Sequence, residues 1–152
     1  MTGPFSMTFR VGWAQTDANA HMRNTAFIDC CVDSRFAFFE QHGFPASEFE
    51  RLRIGPAIFR DEVDYLHELR LMETVTVTLA LAGLSEDGIH FRLHNELFCQ
   101  DGVLAGRVRT TGAWFSLATR KLTVPPEGIV AAMAAAQRTD DFEVIKPRSR
   151  KA

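Results

Sequence analysis

Ala26-Phe27-Ile28-Asp29-Cys30-Cys31-Val32-Asp33-Ser34-Arg35-Phe36-Ala37-Phe38-Phe39-Glu40-Gln41-His42 is the stretch that decides the fold. It holds no Gly or Pro, and Gly43 with Pro45 supplies the stop. At helical spacing Asp29, Asp33 and Glu40 fall on one narrow stripe. Phe27, Cys30, Cys31, Ala37 and Phe38 cover the opposite side, and Ile28, Val32 and Phe39 fill a flank. A helix apolar around so much of its circumference is expected to be buried on several sides, not laid on a surface. Phe27, Phe36, Phe38 and Phe39 are all placed on it.

Outward from this helix the period changes from 3.6 to two. Upstream, Met7, Phe9, Val11 and Trp13 alternate with Thr8, Arg10 and Gly12, which reads as a half-buried strand. Downstream, residues 46–52 read as a short helical turn or loop, and residues 54–66 as an extended strand. Val75, Val77, Leu79 and Leu81 then alternate with threonines. Phe91, Leu93, Leu97 and Cys99 alternate with His90, Arg92, His94 and Glu96, and residues 103–117 make a further strand. Asp87-Gly88 and Asp101-Gly102 mark tight turns between consecutive strands. Pro125-Pro126 starts an alanine-rich helix through about residue 137. The pattern predicts an α+β domain over residues 1–145: an antiparallel sheet of about five strands curling around one long helix, plus a short C-terminal helix. One helix cannot cover such a sheet, and an edge strand would be left bare. A second copy would answer both needs, so a homodimer or dimer of dimers is expected.

Composition narrows the function classes. At 152 residues the chain has room for one domain, and 46% hydrophobic with 24% charged residues is ordinary for a soluble globular protein. Thirteen Phe against one Tyr and two Trp favour dry packing over wet stacking platforms. Residues 146–152 carry four basic and no acidic side chains, leaving a body of 13 basic against 19 acidic residues. An acidic body argues against nucleic-acid binding, and the basic tail is expected to be disordered. Cys30, Cys31 and Cys99 are odd in number, and the start of the sequence has no apolar leader, so reduced thiols in a cytoplasm are expected. The longest apolar run, residues 129–136, is far below the ~18 residues of a membrane span, and no membrane insertion is expected.

The polar segment before the long helix reads Trp13-Ala14-Gln15-Thr16-Asp17-Ala18-Asn19-Ala20-His21-Met22-Arg23-Asn24-Thr25-Ala26-Phe27. The start of a helix offers unpaired N–H groups and a positive dipole end, both suited to polarising a carbonyl oxygen. Asp17, with a reference pKa near ~3.9, is ionised at neutral pH. A carboxylate facing a carbonyl so held can attack it or activate a water. Such a site performs acyl transfer with no metal and no cofactor. Asn24 or Thr25 is the expected helix cap, and Asp17 lies too far upstream for that role.

Residues 15–27 resemble the Asp-containing signature of hotdog-fold acyl-CoA thioesterases of the 4-hydroxybenzoyl-CoA thioesterase type, and the likeness extends over roughly residues 7–125 through Val63-Asp64-Tyr65-Leu66 and Val75 to Val77. Three positions depart from the pattern: Ala20 stands where the family usually has Gly, Arg23 replaces a customary Asn, and Gln15 replaces an Asp. The resemblance implies a hotdog fold and hydrolysis of an acyl-CoA substrate. It implies Asp17 as nucleophile or general base, N–H groups at Asn24, Thr25 and Ala26 holding the thioester oxygen, and His21 shaping the loop. Two other readings stay open. One is a non-catalytic acyl-thioester-binding module. The other is a hotdog hydratase or dehydratase, although Asp17-Ala18-Asn19-Ala20-His21 lacks that group's Pro and carries its His one residue early. His90 and His94 share a strand face and read as solvated residues in preference to metal ligands. Cys30 and Cys31 read as inert core thiols. Arg92, Arg107 and Arg109 on late strands read either as contacts for coenzyme A phosphates or as ordinary exposed strand arginines, and none is singled out.

Overall fold

In the computed structural model, which describes residues 4–147, the long helix is α1, Asn24–Gln41. Its end follows from sequence. Gly43 takes φ +84°, a left-handed conformation that costs glycine nothing. Its N–H donates to the Glu40 carbonyl at 3.1 Å, and the Phe44 N–H donates to the Phe39 carbonyl at 2.8 Å. These two bonds satisfy the last carbonyls of the helix, and Phe44 is turned into the core beside Phe39.

Seven strands form one sheet: β1 Phe5–Arg10, β2 Ile54–Tyr65, β3 Thr74–Ser85, β4 His90–Phe98, β5 Leu104–Ser116, β6 Lys121–Leu122 and β7 Arg138–Ile145. Two short helices complete it, α2 Ala46–Leu52 and α3 Glu127–Ala135. The spatial order is β1-β3-β4-β5-β2, all antiparallel, with β6 on β5 and β7 beside β3. The Asp87-Gly88 and Asp101-Gly102 turns join their strands as expected, each with its glycine at positive φ. The register aligns Leu79 with Asn95 and Asn95 with Val108, so a row of buried side chains runs across three strands.

α1 packs on β1, β3 and β5. Phe27 approaches β5 so closely that a Cβ on Gly106 would lie 2.8 Å from its ring, so only glycine fits there. The apolar residues separate into two clusters. The first gathers Ala26, Phe27, Cys30 and Cys31 against Val75, Val77, Leu97 and Val108. The second gathers Phe38, Phe39, Phe44, Phe49, Phe91 and Trp114 against Ile129 and Met133 of α3.

Four expectations are corrected. The five expected strands are present and two more join them, β6 on β5 and β7, in which the chain after α3 returns in parallel pairing with residues 81–85 of β3. The sequence of β7, Arg138-Thr-Asp-Asp-Phe-Glu-Val-Ile, has no apolar alternation: it pairs with the backbone edge of β3, and Phe142 packs against the second cluster. Phe36 is not enclosed by the sheet; it is 37% exposed. α1 is not apolar all round within the core. Ser34 and Arg35 are buried between the two clusters. Arg35 Nε and Nη2 donate to Asn95 Oδ1 at 3.1 and 3.0 Å, and Nη2 also donates to Thr110 Oγ1 at 2.7 Å. Asn95 Nδ2 donates to Ser34 Oγ and to the Thr78 carbonyl, and Thr110 Oγ1 donates to Asp61. This polar layer ties the middle of α1 to β2, β3, β4 and β5. Finally, the cap of α1 is neither Asn24 nor Thr25, as described below.

β2 pairs with β5 alone among the described residues, which leaves a 12-residue open edge carrying the exposed Ile58 and Phe59. No helix of the described residues is long and apolar enough to cross a membrane. Of the basic tail, residues 148–152 lie outside the described residues.

Candidate active site

The segment before α1 folds into a tight hairpin. Thr16 and Met22 form an antiparallel bridge, and the Asp17 N–H donates to the His21 carbonyl at 3.1 Å. At the tip, Ala20 N–H donates to the Asp17 carbonyl at 3.1 Å and Asn19 N–H donates to Asp17 Oδ1 at 2.9 Å. A side chain accepting from the backbone two residues on is the usual reason for Asp at the start of a turn. Ala20 closes the loop at φ +65°, a conformation glycine adopts freely and alanine does not. The base is braced by Gln15: Gly12 N–H donates to its Oε1 at 2.7 Å, and Arg23 N–H donates to its carbonyl at 2.6 Å. Met22 is buried and its N–H donates to the Leu69 carbonyl, which ties the hairpin to the 66–73 loop.

α1 begins without a side-chain cap. Arg23 occupies the cap position with extended φ −65° and ψ 149°, and accepts only the Ala26 N–H, at 3.0 Å, on its carbonyl. The Thr25 hydroxyl does not cap; it accepts from Arg23 Nη1 at 2.6 Å. Arg23 Nε donates to the Ala14 carbonyl, so one guanidinium pins the hairpin to the first turn of the helix. The N–H groups of Asn24 and Thr25 are therefore left without a partner among the described residues. They point along the positive end of the helix dipole.

Below this helix start lies a hollow of about 320 Å³, bordered by His21, Asn24, Phe27, Tyr65, His67 and Glu68. Its volume lies within the usual range for small-molecule sites. The Tyr65 hydroxyl donates to the Asn24 carbonyl at 3.1 Å, and its ring meets Phe27 edge-on at 5.0 Å. His21 Nδ1 lies 3.2 Å from the Met22 carbonyl, which orients the ring beside the hollow. Asp17 is half-buried on the neighbouring hairpin and does not itself border the hollow. Of the five residues singled out from sequence, the structure thus gathers His21 and Asn24 at the hollow. Thr25 and Ala26 follow in the first helical turn, with the Ala26 N–H already engaged. Tyr65, His67 and Glu68 were not singled out as site residues. Tyr65 carried one signal, as the only tyrosine of the chain.

The remaining candidates lie elsewhere. Cys30, Cys31 and Cys99 are free and buried. The neighbouring Cys31 thiol, followed by burial, pushes the Cys30 thiol well up, so it stays protonated and unreactive. His94 faces Arg109 across the β4–β5 ladder, and burial lowers its pKa. Among the described residues no group of three His, Cys, Asp or Glu side chains is placed to hold a metal ion. Arg92 pairs with Glu143, Arg107 with Glu96 and Asp64, and Arg109 with Asp64 on the outer sheet face.

A sheet of order β1-β3-β4-β5-β2 curled around one long helix, with a polar hairpin leading into that helix, defines a hotdog-fold protein. The profile of the thioesterase-like superfamily matches residues 11–133, and the chain belongs to that superfamily. A Staphylococcus aureus protein solved in complex with CoA is similar at 25% identity and a TM-score of 0.79, over 99% of this chain and 94% of that one. A 1,4-dihydroxy-2-naphthoyl-CoA thioesterase from Synechocystis is similar at 16% identity and a TM-score of 0.76, over 87% and 96%. A DHNA-CoA thioesterase from Staphylococcus aureus is similar at 18% identity and a TM-score of 0.72, over 78% of each chain. The curated proteins gave no match.

Proposed function

We propose that this protein hydrolyses an acyl-CoA thioester to the free acid and CoA. The observation that carries the reading is the uncapped start of α1: among the described residues the Asn24 and Thr25 N–H groups have no partner, and Asn24 borders the hollow next to the Asp17 hairpin. Developing negative charge on the thioester oxygen is stabilised by such donors far more than the ground-state carbonyl is. Ala26 serves as the turn that follows, its N–H being bonded to Arg23. The Asp17 carboxylate keeps Oδ2 free while Oδ1 is held by the Asn19 N–H. It either attacks the thioester carbon, expelling CoA thiolate and leaving an anhydride that water opens, or takes a proton from the attacking water. His21 and Tyr65 shape the hollow, and no metal or cofactor takes part. Membership of the superfamily and the CoA-bound relative support the substrate class. The working unit is a homodimer, with a second copy pairing along the open β2 edge and covering Ile58 and Phe59.

The test is thiol release from a panel of aliphatic and aromatic acyl-CoAs by wild type and Asp17→Asn. The expected result is hydrolysis by wild type and a loss of about 10²-fold or more in kcat for the variant. No thiol release above background from any substrate defeats the hydrolase reading; full activity of Asp17→Asn defeats the site. A single turnover in ¹⁸O-water then separates the two roles, since only direct attack carries label into Asp17. One observation favours a non-catalytic acyl-thioester-binding module instead: Asp17 is satisfied as a turn residue and does not border the hollow. That module binds acyl-CoA and leaves it intact.

A further inference from the structure

We infer that the acyl group this site accepts is a linear aliphatic chain of about 10–14 carbons, lying along α1 with its end in an apolar cavity between α1 and β2. The inference rests on the hydrolase reading above and specifies its substrate. The cavity measures about 60 Å³ and is lined by Val32, Phe36 and Phe39 of α1, Pro56 and Ile58 of β2, and Trp114 of β5. Arg35 also borders it, but its guanidinium is turned to Asn95 and Thr110, so the cavity meets only the stem. An apolar cavity that binds benzene measures ~150 Å³, more than twice this one. A space of this size and lining suits the last few carbons of an alkyl chain and not an aromatic ring.

The path from the helix start to the cavity is set by helical spacing. Asn24, Ile28, Val32 and Phe36 follow at intervals of four, which places them along one inclined ridge that winds about 120° around α1. α1 packs on β1, β3 and β5, so this flank toward β2 is only partly covered: Ile28, Val32 and Val63 are half-buried. At 1.5 Å per residue, Val32 lies about 12 Å and Phe36 about 18 Å beyond Asn24. An extended chain advances ~1.2 Å per bond, judged from the 3.6 Å that three backbone bonds span. A thioester held at Asn24 therefore sends a chain of about ten carbons to Val32, and a few more fill the cavity. An acyl group of a single ring ends well short of it.

The experiment measures kcat/KM for straight-chain acyl-CoAs from acetyl to palmitoyl, and for benzoyl-CoA, with wild type, Val32→Phe and Phe36→Ala. Wild-type values are expected to climb up to three- to fourfold per added methylene toward the optimum at about 10–14 carbons. Val32→Phe, which fills the cavity, should lower dodecanoyl-CoA turnover by about tenfold while butyryl- and benzoyl-CoA change by no more than about twofold. Phe36→Ala removes a half-exposed wall and should move the optimum toward longer chains; it also serves if Val32→Phe proves unstable. An optimum at six carbons or fewer, a preference for benzoyl-CoA, or a profile that neither variant alters overturns the inference while leaving hydrolysis intact. If no substrate is cleaved, titration calorimetry decides. Dodecanoyl-CoA binding about tenfold or more tighter than CoA, and losing that advantage in Val32→Phe, sustains the chain site although the hydrolase reading has failed. Equal binding of the two overturns both.

Discussion

Replacing Asn24 by proline separates the catalytic use of the helix start from its structural use. Asn24 is the first residue of α1, where proline's fixed φ suits the helix and its missing N–H costs no intrahelical bond. The preceding Arg23 already has the extended ψ of 149° that a residue before proline prefers. The Asn24 side chain is exposed, and its carbonyl, which accepts from Tyr65, is retained. Asn24→Pro thus deletes one backbone donor and little else. Its effect on stability should stay within about 1 kcal/mol, a change of ~2–4 °C in Tm for a chain of this size. Removing one of two oxyanion donors should cost ~2.7–4 kcal/mol of transition-state stabilisation, about 10²–10³ in kcat, with KM little changed. Steady-state thiol release, read with a colorimetric thiol reagent, and a thermal melt give both quantities. Asn24→Ala keeps the N–H and should remain near wild type. A folded Asn24→Pro with wild-type kcat would refute the assignment, because only the Thr25 N–H would then remain to hold the oxyanion.

Ala20→Gly relieves the left-handed conformation at φ +65° and should stabilise the protein by about 0.5–1 kcal/mol after the entropy cost of glycine, raising Tm by ~1–4 °C. A fall in Tm would contradict the hairpin geometry. Arg35→Met leaves Asn95 Oδ1 without its donor and should destabilise by about 1–3 kcal/mol, read as a lower urea midpoint at unchanged slope. Burial lowers the pKa of His94, so its protonation opposes folding. Stability is full above the ordinary value of 6.5 and is lost as pH falls below it toward the folded pKa. Urea midpoints for wild type and His94→Gln at about pH 7.5 and about pH 5 should converge in the variant and differ in wild type.

The fold was legible because its decisive signals are local. Gly43 ends α1, two Asp-Gly pairs turn the hairpins, and strict alternation marks β3 and β4. What escaped is what alternation does not report. β7 is held by backbone pairing along a few residues of β3, and its side chains carry little burial pattern. The polar layer did leave a trace: the apolar positions of β4 run Phe91, Leu93, Leu97, with Asn95 filling the missing place. Ser34 and Arg35 interrupt the buried face of α1 in the same way. Each reads alone as a surface residue. Only the tertiary register shows that Asn95, Thr110 and Arg35 complete one another's hydrogen bonds.

The candidate site is marked in the structure by departures from local rules, of which the sequence carried only Ala20 and Arg23 as unusual residues in the loop. Within six residues the chain places an alanine at positive φ, an arginine where a capping side chain belongs, and two N–H donors with no partner among the described residues. Each lowers local consistency, and none is offset by packing at the same residue. The hairpin is instead held from outside, by Gln15 at its base, Arg23 across to the helix, and Met22 bonded to Leu69. That arrangement fixes a strained loop against an uncapped helix end, which a folding domain gains nothing by doing. In the proposed reaction, the thioester oxygen would be the acceptor for these donors. The polar layer at Arg35 acts on the same element, since it anchors the middle of α1 to four strands and leaves the first turn little freedom to slide. In the proposed reaction the helix start would present its donors without reorganising, which is the condition under which a backbone N–H stabilises a transition state more than water does.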